Sequence, residues 1–260
     1  MRLQAGFKSA EFGRANQLPN ILKEVLAADR SVTIVEDGIY SVLSDPLTQH
    51  HYDRRAAVYD ALVNSRLYGR VAWGSLPEDY VSFARDAIAS SSAASTSEGR
   101  FLDAGCGSLI FTAPSYLESS RQIIAFDESL AMLRRARKRL LKLAGAVPEH
   151  IVLLQGDLAD LPFQPKSFQG VLFMNVLHHI EEAGTVIGNL KALLTDEGHL
   201  HLTCLVYNHR FVGDLYLNAL HSSGEFARPR SSLELRQILD RALGEKVVYR
   251  VKGNMAFASC

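Results

Sequence analysis

Three acids stand where three apolar runs end. The chain reads Phe101-Leu102-Asp103-Ala104-Gly105-Cys106-Gly107, then Ile123-Ile124-Ala125-Phe126-Asp127, then Leu153-Leu154-Gln155-Gly156-Asp157. In an open parallel sheet, ligands bind outside the carboxyl ends of the strands. The pattern therefore predicts Asp103, Asp127 and Asp157 along one rim. Gly105 and Gly107 let the backbone approach a ligand closely. A dinucleotide fingerprint needs a third glycine where Ile110 stands, and Asp103 is a poor neighbour for phosphate. The acids suit a cationic or hydroxyl-bearing ligand, which points to a nucleoside without phosphates. Asp127, with Glu128 beside it, can accept both ribose hydroxyls. It can equally serve the start of the helix that follows Ser129. Asp157 would meet the adenine edge, or is a plain loop acid.

Elements that alternate must hold these acids in place. After the first strand, Arg100–Ala104, comes a short helix within Thr112–Ser119. Strand Gln122–Asp127 leads into helix Ser129–Ala144, whose Leu130, Leu133, Ala136, Leu140 and Leu143 recur at helical spacing. Strands Ile151–Gln155 and Phe168–Asn175 follow, then helix Glu182–Leu194 and strand His199–Tyr207. Helix Ser231–Leu243 precedes a closing pair of strands, Lys246–Lys252 and Met255–Ser259. Strands alternating with helices predict a Rossmann-like α/β fold, a doubly wound and mostly parallel sheet with an antiparallel terminal strand.

The N-terminal part reads differently. Leu18–Ala28 is helical. Ser31–Leu43 is a small hairpin around Asp37-Gly38, a good turn signal between apolar runs. Tyr52–Trp73 is helical and aromatic-rich, and Pro77–Ala89 is a further helix. The Ser/Ala-rich stretch Ser90–Gly99 reads as a linker. The expected division is a mainly helical N-terminal cap over 1–98 and a ligand-binding domain over 99–260.

The most specific stretch runs from Gly156 to Thr203. It reads Gly-Asp-Leu-Ala-Asp-Leu-Pro-Phe, then Ser-Phe-Gln-Gly-Val-Leu-Phe-Met-Asn-Val-Leu-His-His-Ile, and closes with Leu-Lys-Ala-Leu-Leu-Thr-Asp-Glu-Gly-His-Leu-His-Leu-Thr. This resembles the class I S-adenosylmethionine-dependent methyltransferases, particularly the group that includes the ubiquinone/menaquinone C-methyltransferases. The likeness covers residues 100–205 well. It extends more weakly to Tyr52-Asp53-Arg54-Arg55-Ala56-Ala57-Val58-Tyr59-Asp60. It implies S-adenosylmethionine as cofactor, with Asp103, Gly105 and Gly107 facing its methionine part. Asp127 takes the ribose, Asp157 and the Leu158 backbone take adenine, and Asn175 ends its strand beside the methyl group. Tyr52 and Tyr59 would help cover the cofactor. One departure is plain: the family usually has a further glycine after Gly107, and Ser108-Leu109 stand there. A bulkier loop would tighten the methionine pocket or weaken binding.

His178 and His179 follow Asn175, and a histidine there can act as general base. Structural packing is the plainer role for both. Tyr207, at a strand end, is a third candidate catalytic group. The segment Asn208–Arg230 reads as an irregular insertion over the strand ends and as a candidate substrate lid. His199 and His201 share a strand face and His50-His51 adjoin, but no carboxylate partner accompanies them, so no metal is expected. Arg134, Arg135, Arg137, Lys138, Arg139 and Lys142 form a basic run, read as the solvated face of an amphipathic helix rather than a nucleic-acid contact.

Composition narrows the classes. Lys+Arg and Asp+Glu are both 28 in 260 residues, for a formal net charge of zero. A polyanion binder usually shows a basic excess, so an RNA-modifying methyltransferase ranks below a small-molecule one. The three cysteines form no Cys-x-x-Cys pair and fit a reducing cytosol. No signal-peptide-like or membrane-spanning apolar run is read, so a cytoplasmic place is expected. The rival to an enzyme is a non-catalytic cofactor-binding module, which the Ser108-Leu109 departure would suit.

Overall fold

The computed structural model describes residues 18–47, 60, 62–90, 99–244 and 246–260. The strands are β1 (Thr33–Glu36), β2 (Ile39–Ser41), β3 (Arg100–Ala104), β4 (Gln122–Asp127), β5 (Ile151–Gln155), β6 (Phe168–Met174), β7 (Leu194–Leu205), β8 (Val248–Lys252) and β9 (Met255–Ser259). The helices are α1 (Asn20–Val25), α2 (Arg66–Tyr68), α3 (Pro77–Ser90), α4 (Ala113–Leu117), α5 (Leu130–Ala144), α6 (Ala183–Ala192), α7 (Phe211–Ser222) and α8 (Ser232–Leu243). One π-helical turn, Gly69–Trp73, continues α2 and stops at Gly74, whose φ is 71°.

The strands form one sheet in the order β1-β2-β5-β4-β3-β6-β7-β9-β8. From β2 to β7 every neighbouring pair is parallel, and β1 and β9 run against their neighbours. The chain leaves β3 for β4 and β5 on one side and returns to place β6 on the other. That reversal beside β3 is the topological switch point, where a crevice opens outside the strand ends.

Side chains alternate across this sheet and feed two apolar layers. Leu102, Ile124, Phe126, Val152, Leu154, Val171 and Phe173 pack against Ile21, Leu22 and Val25 of α1, Ile187 and Leu190 of α6, and Leu235 and Leu239 of α8. Phe101, Ile123, Ala125, Ile151, Leu153 and Leu172 pack against Tyr80, Phe83 and Ala87 of α3, Tyr116 of α4, and Leu133, Ala136 and Leu140 of α5. Strands buried on both faces read as continuous apolar runs, as β3 to β6 do. Ser129 caps α5 by accepting the Met132 N–H, and Gly145 ends it at φ 79°.

The division at residue 98 does not follow the sheet. The hairpin turns at Asp37-Gly38 as expected, but its second strand lies in parallel register on β5, Tyr40 opposite Leu154. A short strand with apolar Ile39 and Tyr40 finds an open parallel edge there. Helices α1 and α3 likewise cover the two sheet faces instead of forming a separate cap. The linker lies largely outside the described residues, as do Tyr52, Tyr59 and His50-His51. The segment Asn208–Arg230 is not irregular: α7 occupies its middle.

Candidate cofactor and acceptor site

The loop after β3 opens the site. Gly105 (φ 75°), Gly107 (φ 55°) and Leu109 (φ 56°) all take the left-handed conformation. The amides of Gly105 and Cys106 donate to the Phe126 carbonyl at 2.8 and 3.0 Å, so the loop bends back over the end of β4. A Cβ on Gly105 would meet Val176 Cγ2 at 2.4 Å, whereas one on Gly107 would meet nothing within 4 Å. Gly105 is thus a packing requirement against Val176, and Gly107 is the glycine with open space. Leu109 carries the strain expected of a side chain at positive φ, about 1–2 kcal/mol. It is 1% exposed and sits among the apolar residues over the sheet, which offsets that cost. The bulk in place of the family glycine therefore turns into the core.

A cavity of about 370 Å³ lies on this loop. Its walls include Asp103, Gly105, Gly107, Asp127, Glu128, Asp157, Leu158 and Asn175. The three rim acids thus share one hollow. Asp103 is 2% exposed and accepts from the Tyr116 hydroxyl at 2.7 Å. Burial pushes its carboxyl up to about 7; the Tyr116 hydrogen bond opposes the shift and the Asp127 charge adds to it. Asp127 serves the start of the helix, one of the two roles its position allows. Its Oδ2 accepts the Gly107 N–H at 2.7 Å and its Oδ1 the Ser129 N–H at 2.9 Å, so it staples the glycine loop to the start of α5. Asp157 Oδ1 accepts the Ala159 N–H at 2.8 Å and fixes the next loop. Burial, aided by Asp127 and Asp103, pushes the Cys106 thiol well up, which suits a packed thiol and not a nucleophile.

Asn175 follows the end of β6 at φ 61°. It donates its N–H to Thr203 Oγ1 at 2.9 Å, and the Thr203 hydroxyl donates to Asn175 Oδ1 at 2.9 Å. Thr203 was not a sequence candidate; parallel register puts it opposite Met174, one residue from Asn175. Next comes a tight turn, Leu177–His179. His178 is buried, its Nδ1 has no hydrogen-bond partner, and burial holds its pKa well below the ordinary value. His179 Nδ1 lies 2.9 Å from the Glu225 carbonyl. Burial lowers its pKa, and the Glu225 carbonyl bond opposes that.

A second cavity of about 380 Å³ adjoins the first. Phe111, Met132, Asn175 and His179 line both. Its remaining walls are mostly apolar and aromatic, from the π turn (Gly69, Trp73), α3 (Tyr80), α7 (Tyr216, Leu220) and Phe226. Trp73 and Tyr216 stack with ring centres 5.1 Å apart, and the Tyr68 hydroxyl donates to that of Tyr216 at 3.2 Å. These contacts seat α7 on the π turn. The lid expected over 208–230 supplies Tyr216 and Phe226 to this cavity, but Tyr207 lines neither cavity and its hydroxyl donates to Asn218. Trp73 comes from the aromatic-rich segment, whereas Tyr80 and Phe111 were not anticipated because they come from separate segments that only the fold unites.

The basic run is more than a solvated face. Arg134 pairs with Glu36 and Arg137 with Asp37, both in the N-terminal hairpin. Arg139 donates to Asp60 at 3.0 Å and to the Ser108 carbonyl at 2.8 Å, while the Ser108 hydroxyl donates to Asp60 at 2.5 Å. The glycine loop is thereby tied to the N-terminal segment. Among the described residues, no group of three His, Cys, Asp or Glu is placed to hold a metal ion, and no helix is long and apolar enough to cross a membrane.

Comparison with known proteins agrees with this fold. Residues 102–202 match the methyltransferase domain family. The chain is 30% identical over 157 residues to the 2-phytyl-1,4-naphtoquinone methyltransferase of Synechococcus elongatus, a match covering 59% of this chain and 61% of that one. The chain thus spans less than two thirds of the curated relatives it matches. Among solved structures, a phosphoethanolamine N-methyltransferase of Haemonchus contortus superposes with a TM-score of 0.59 at 16% identity, over 76% of this chain and 43% of that one. An S-adenosylmethionine-dependent methyltransferase of Thermotoga maritima gives 0.55 at 18% identity, over 80% and 96%. The fold is the α/β fold of the S-adenosylmethionine-dependent methyltransferases on which the chain superposes. Residues 102–202 are matched as a methyltransferase domain.

Proposed function

We propose that the chain transfers a methyl group from S-adenosylmethionine to a small-molecule acceptor. The observation that carries this reading is the pair of adjoining cavities that share Phe111, Met132, Asn175 and His179. One hollow suits a nucleoside and the other a second reactant. The first fits the cofactor by its donor set: among the described residues no Lys or Arg lines it, as a phosphate would call for, and buried Asp103 favours a cation. The cofactor supplies a methyl on a sulfonium centre. Asp103 with the Gly105–Gly107 loop holds its amino-acid end, Asp127 and Glu128 the ribose, and Asp157 with the Leu158 backbone the adenine. Asn175, braced by Thr203, stands at the shared wall.

Transfer needs close approach and alignment more than it needs strong chemical assistance. Holding two reactants in register is worth roughly 7–11 kcal/mol of barrier. The π turn and α7 complete the second cavity and keep water from the shared wall. The small-molecule relatives named above support an acceptor of that size. Calorimetry with S-adenosylhomocysteine, followed by turnover over a metabolite extract read as methylated products, tests the reading. Tight binding without any methylated product would leave only a cofactor-binding module.

A further inference from the structure

Asp103 is presented to the first cavity by a side chain that lines neither hollow. The Tyr116 hydroxyl donates to Asp103 Oδ2 at 2.7 Å from behind the cavity wall. Tyr116 is fully buried, and its ring stands edge-on to Phe101 with centres 6.1 Å apart. Its N–H donates to the Thr112 carbonyl at 3.0 Å, and its own carbonyl lies 3.0 Å from His150 Nε2. Ring and backbone are both fixed, so the hydroxyl has one direction. A phenylalanine would serve the packing as well. The carboxylate is what explains the hydroxyl.

A carboxylate in a dry wall favours its protonated form unless a donor or a cation offsets burial. Among the described residues no Lys or Arg lines this cavity. The groups facing Asp103 are Tyr116 from α4, Asp127 at the end of β4 and the Cys106 thiol in the glycine loop. Of these, Tyr116 alone favours the ionised carboxylate, whereas the Asp127 charge opposes it. Burial, with the Asp103 charge adding to it, pushes the Tyr116 hydroxyl well up, so it stays a donor across the working range. Oδ2 is committed to this bond, which leaves Oδ1 for a ligand. A bound amine would bring the positive charge that the wall lacks.

We propose that Tyr116 is a positioning residue: it fixes the carboxylate that receives the cofactor's amine, and so makes binding selective for a nucleoside with a cationic tail. This rests on the methyltransferase reading above. Tyr116 itself touches neither cofactor nor acceptor and acts through Asp103.

The test is calorimetry on the full chain with two probes. One is S-adenosylhomocysteine, and the other is 5′-methylthioadenosine, which shares the nucleoside and lacks the amine. Tyr116→Phe removes only the hydroxyl. At pH 7 its affinity for S-adenosylhomocysteine should fall about tenfold, with that for 5′-methylthioadenosine changed less than about twofold. The loss should shrink as pH rises to about 8.5, where Asp103 ionises without help. In an Asp103→Asn background the same change should alter neither affinity by more than about twofold. A second variant carries 3-fluorotyrosine at position 116, which keeps the ring and strengthens the donor. It should move the pH dependence of S-adenosylhomocysteine binding to lower pH, and it decides the matter if Tyr116→Phe does not fold. Equal losses for both probes, a loss independent of pH, or an undiminished loss in the Asp103→Asn background would mark a packing role and overturn the inference. A wild-type affinity and pH profile in the folded Tyr116 variants overturns it as well. Failure of the wild-type chain to bind S-adenosylhomocysteine overturns the methyltransferase reading instead.

Discussion

Asp103 offers a sharp test of where the cationic end of the cofactor sits. Its carboxyl titrates near 7 in the free protein because it is buried, with Tyr116 and Asp127 as its charged or polar neighbours. At pH 7 about half of the molecules therefore carry a proton there. An ammonium group bound beside the carboxylate favours the ionised form and pulls the pKa down by a unit or more. Binding should then release about half a proton at pH 7, and affinity for S-adenosylhomocysteine should fall about five- to tenfold between pH 8 and pH 6. Calorimetry at pH 7 in two buffers of different ionisation enthalpy measures the proton directly. Asp103→Asn should bind more weakly, with no buffer dependence and a flat profile from pH 6 to 8. Stability supplies a second sign. A folded pKa above the unfolded value of 3.8 means that this group's contribution is present below about 4 and is lost as pH rises through about 7. The melting-temperature gain of Asp103→Asn over the wild type, both without ligand, should thus be larger at pH 8 than at pH 5. Identical enthalpies in both buffers, or an unchanged linkage in Asp103→Asn, would refute a cation at Asp103.

Asp127→Ala removes two backbone bonds as well as any ribose contact, each bond to the charged carboxylate worth roughly 1.5–3 kcal/mol. Affinity for S-adenosylhomocysteine should drop more than tenfold, and a loss under about threefold would show that Asp127 is only a helix-start anchor. Gly105→Val and Gly107→Val both carry left-handed backbone strain, but Gly105→Val should lower the melting temperature further through its clash with Val176, whereas the Gly107→Val side chain enters open space and should weaken binding more. Similar melting losses in both would contradict that split. Asp60→Ala unties Ser108 from the N-terminal segment and should raise the dissociation constant several-fold; equal affinity would make the tie incidental. Trp73→Ala strips the wall of the second cavity, so KM for the acceptor should rise with S-adenosylhomocysteine binding nearly unchanged, and the reverse pattern would misplace the acceptor.

The rim acids could be read from the sequence because each is local: an apolar run predicts a strand, and the residue after it must lie at the rim. The acceptor cavity could be read only in outline, as a lid and an aromatic segment over the strand ends. Trp73, Tyr80, Tyr216 and Phe226 are far apart in the chain and meet only through tertiary packing. Helix α7 hid for a related reason. Phe211, Val212 and Leu215 are exposed while Leu217 is buried, so its apolar residues show no single face. The hairpin was visible from Asp37-Gly38, but its attachment to β5 is a long-range choice that no local pattern announces. The arginines of α5 looked like a solvated face because their acidic partners, Glu36, Asp37 and Asp60, lie about a hundred residues upstream or nearly so. Tyr207 was named from its place after an apolar run, yet its hydroxyl turns to Asn218, outside both hollows.

The attachment of β2 to β5 bears on how this protein can be cut, fused or recombined. An unprotected edge strand offers a row of free amides and carbonyls to any passing chain. Here β5 is the edge that would be left bare, its backbone paired on that side by Ile39, Tyr40 and Ser41. A fragment beginning at the glycine-loop strand would carry the whole family signature and still end in a sticky β5. The heritable unit that can be moved between proteins is therefore discontinuous: the hairpin must travel with the signature, as a clasp whose chain position gives no hint of its office.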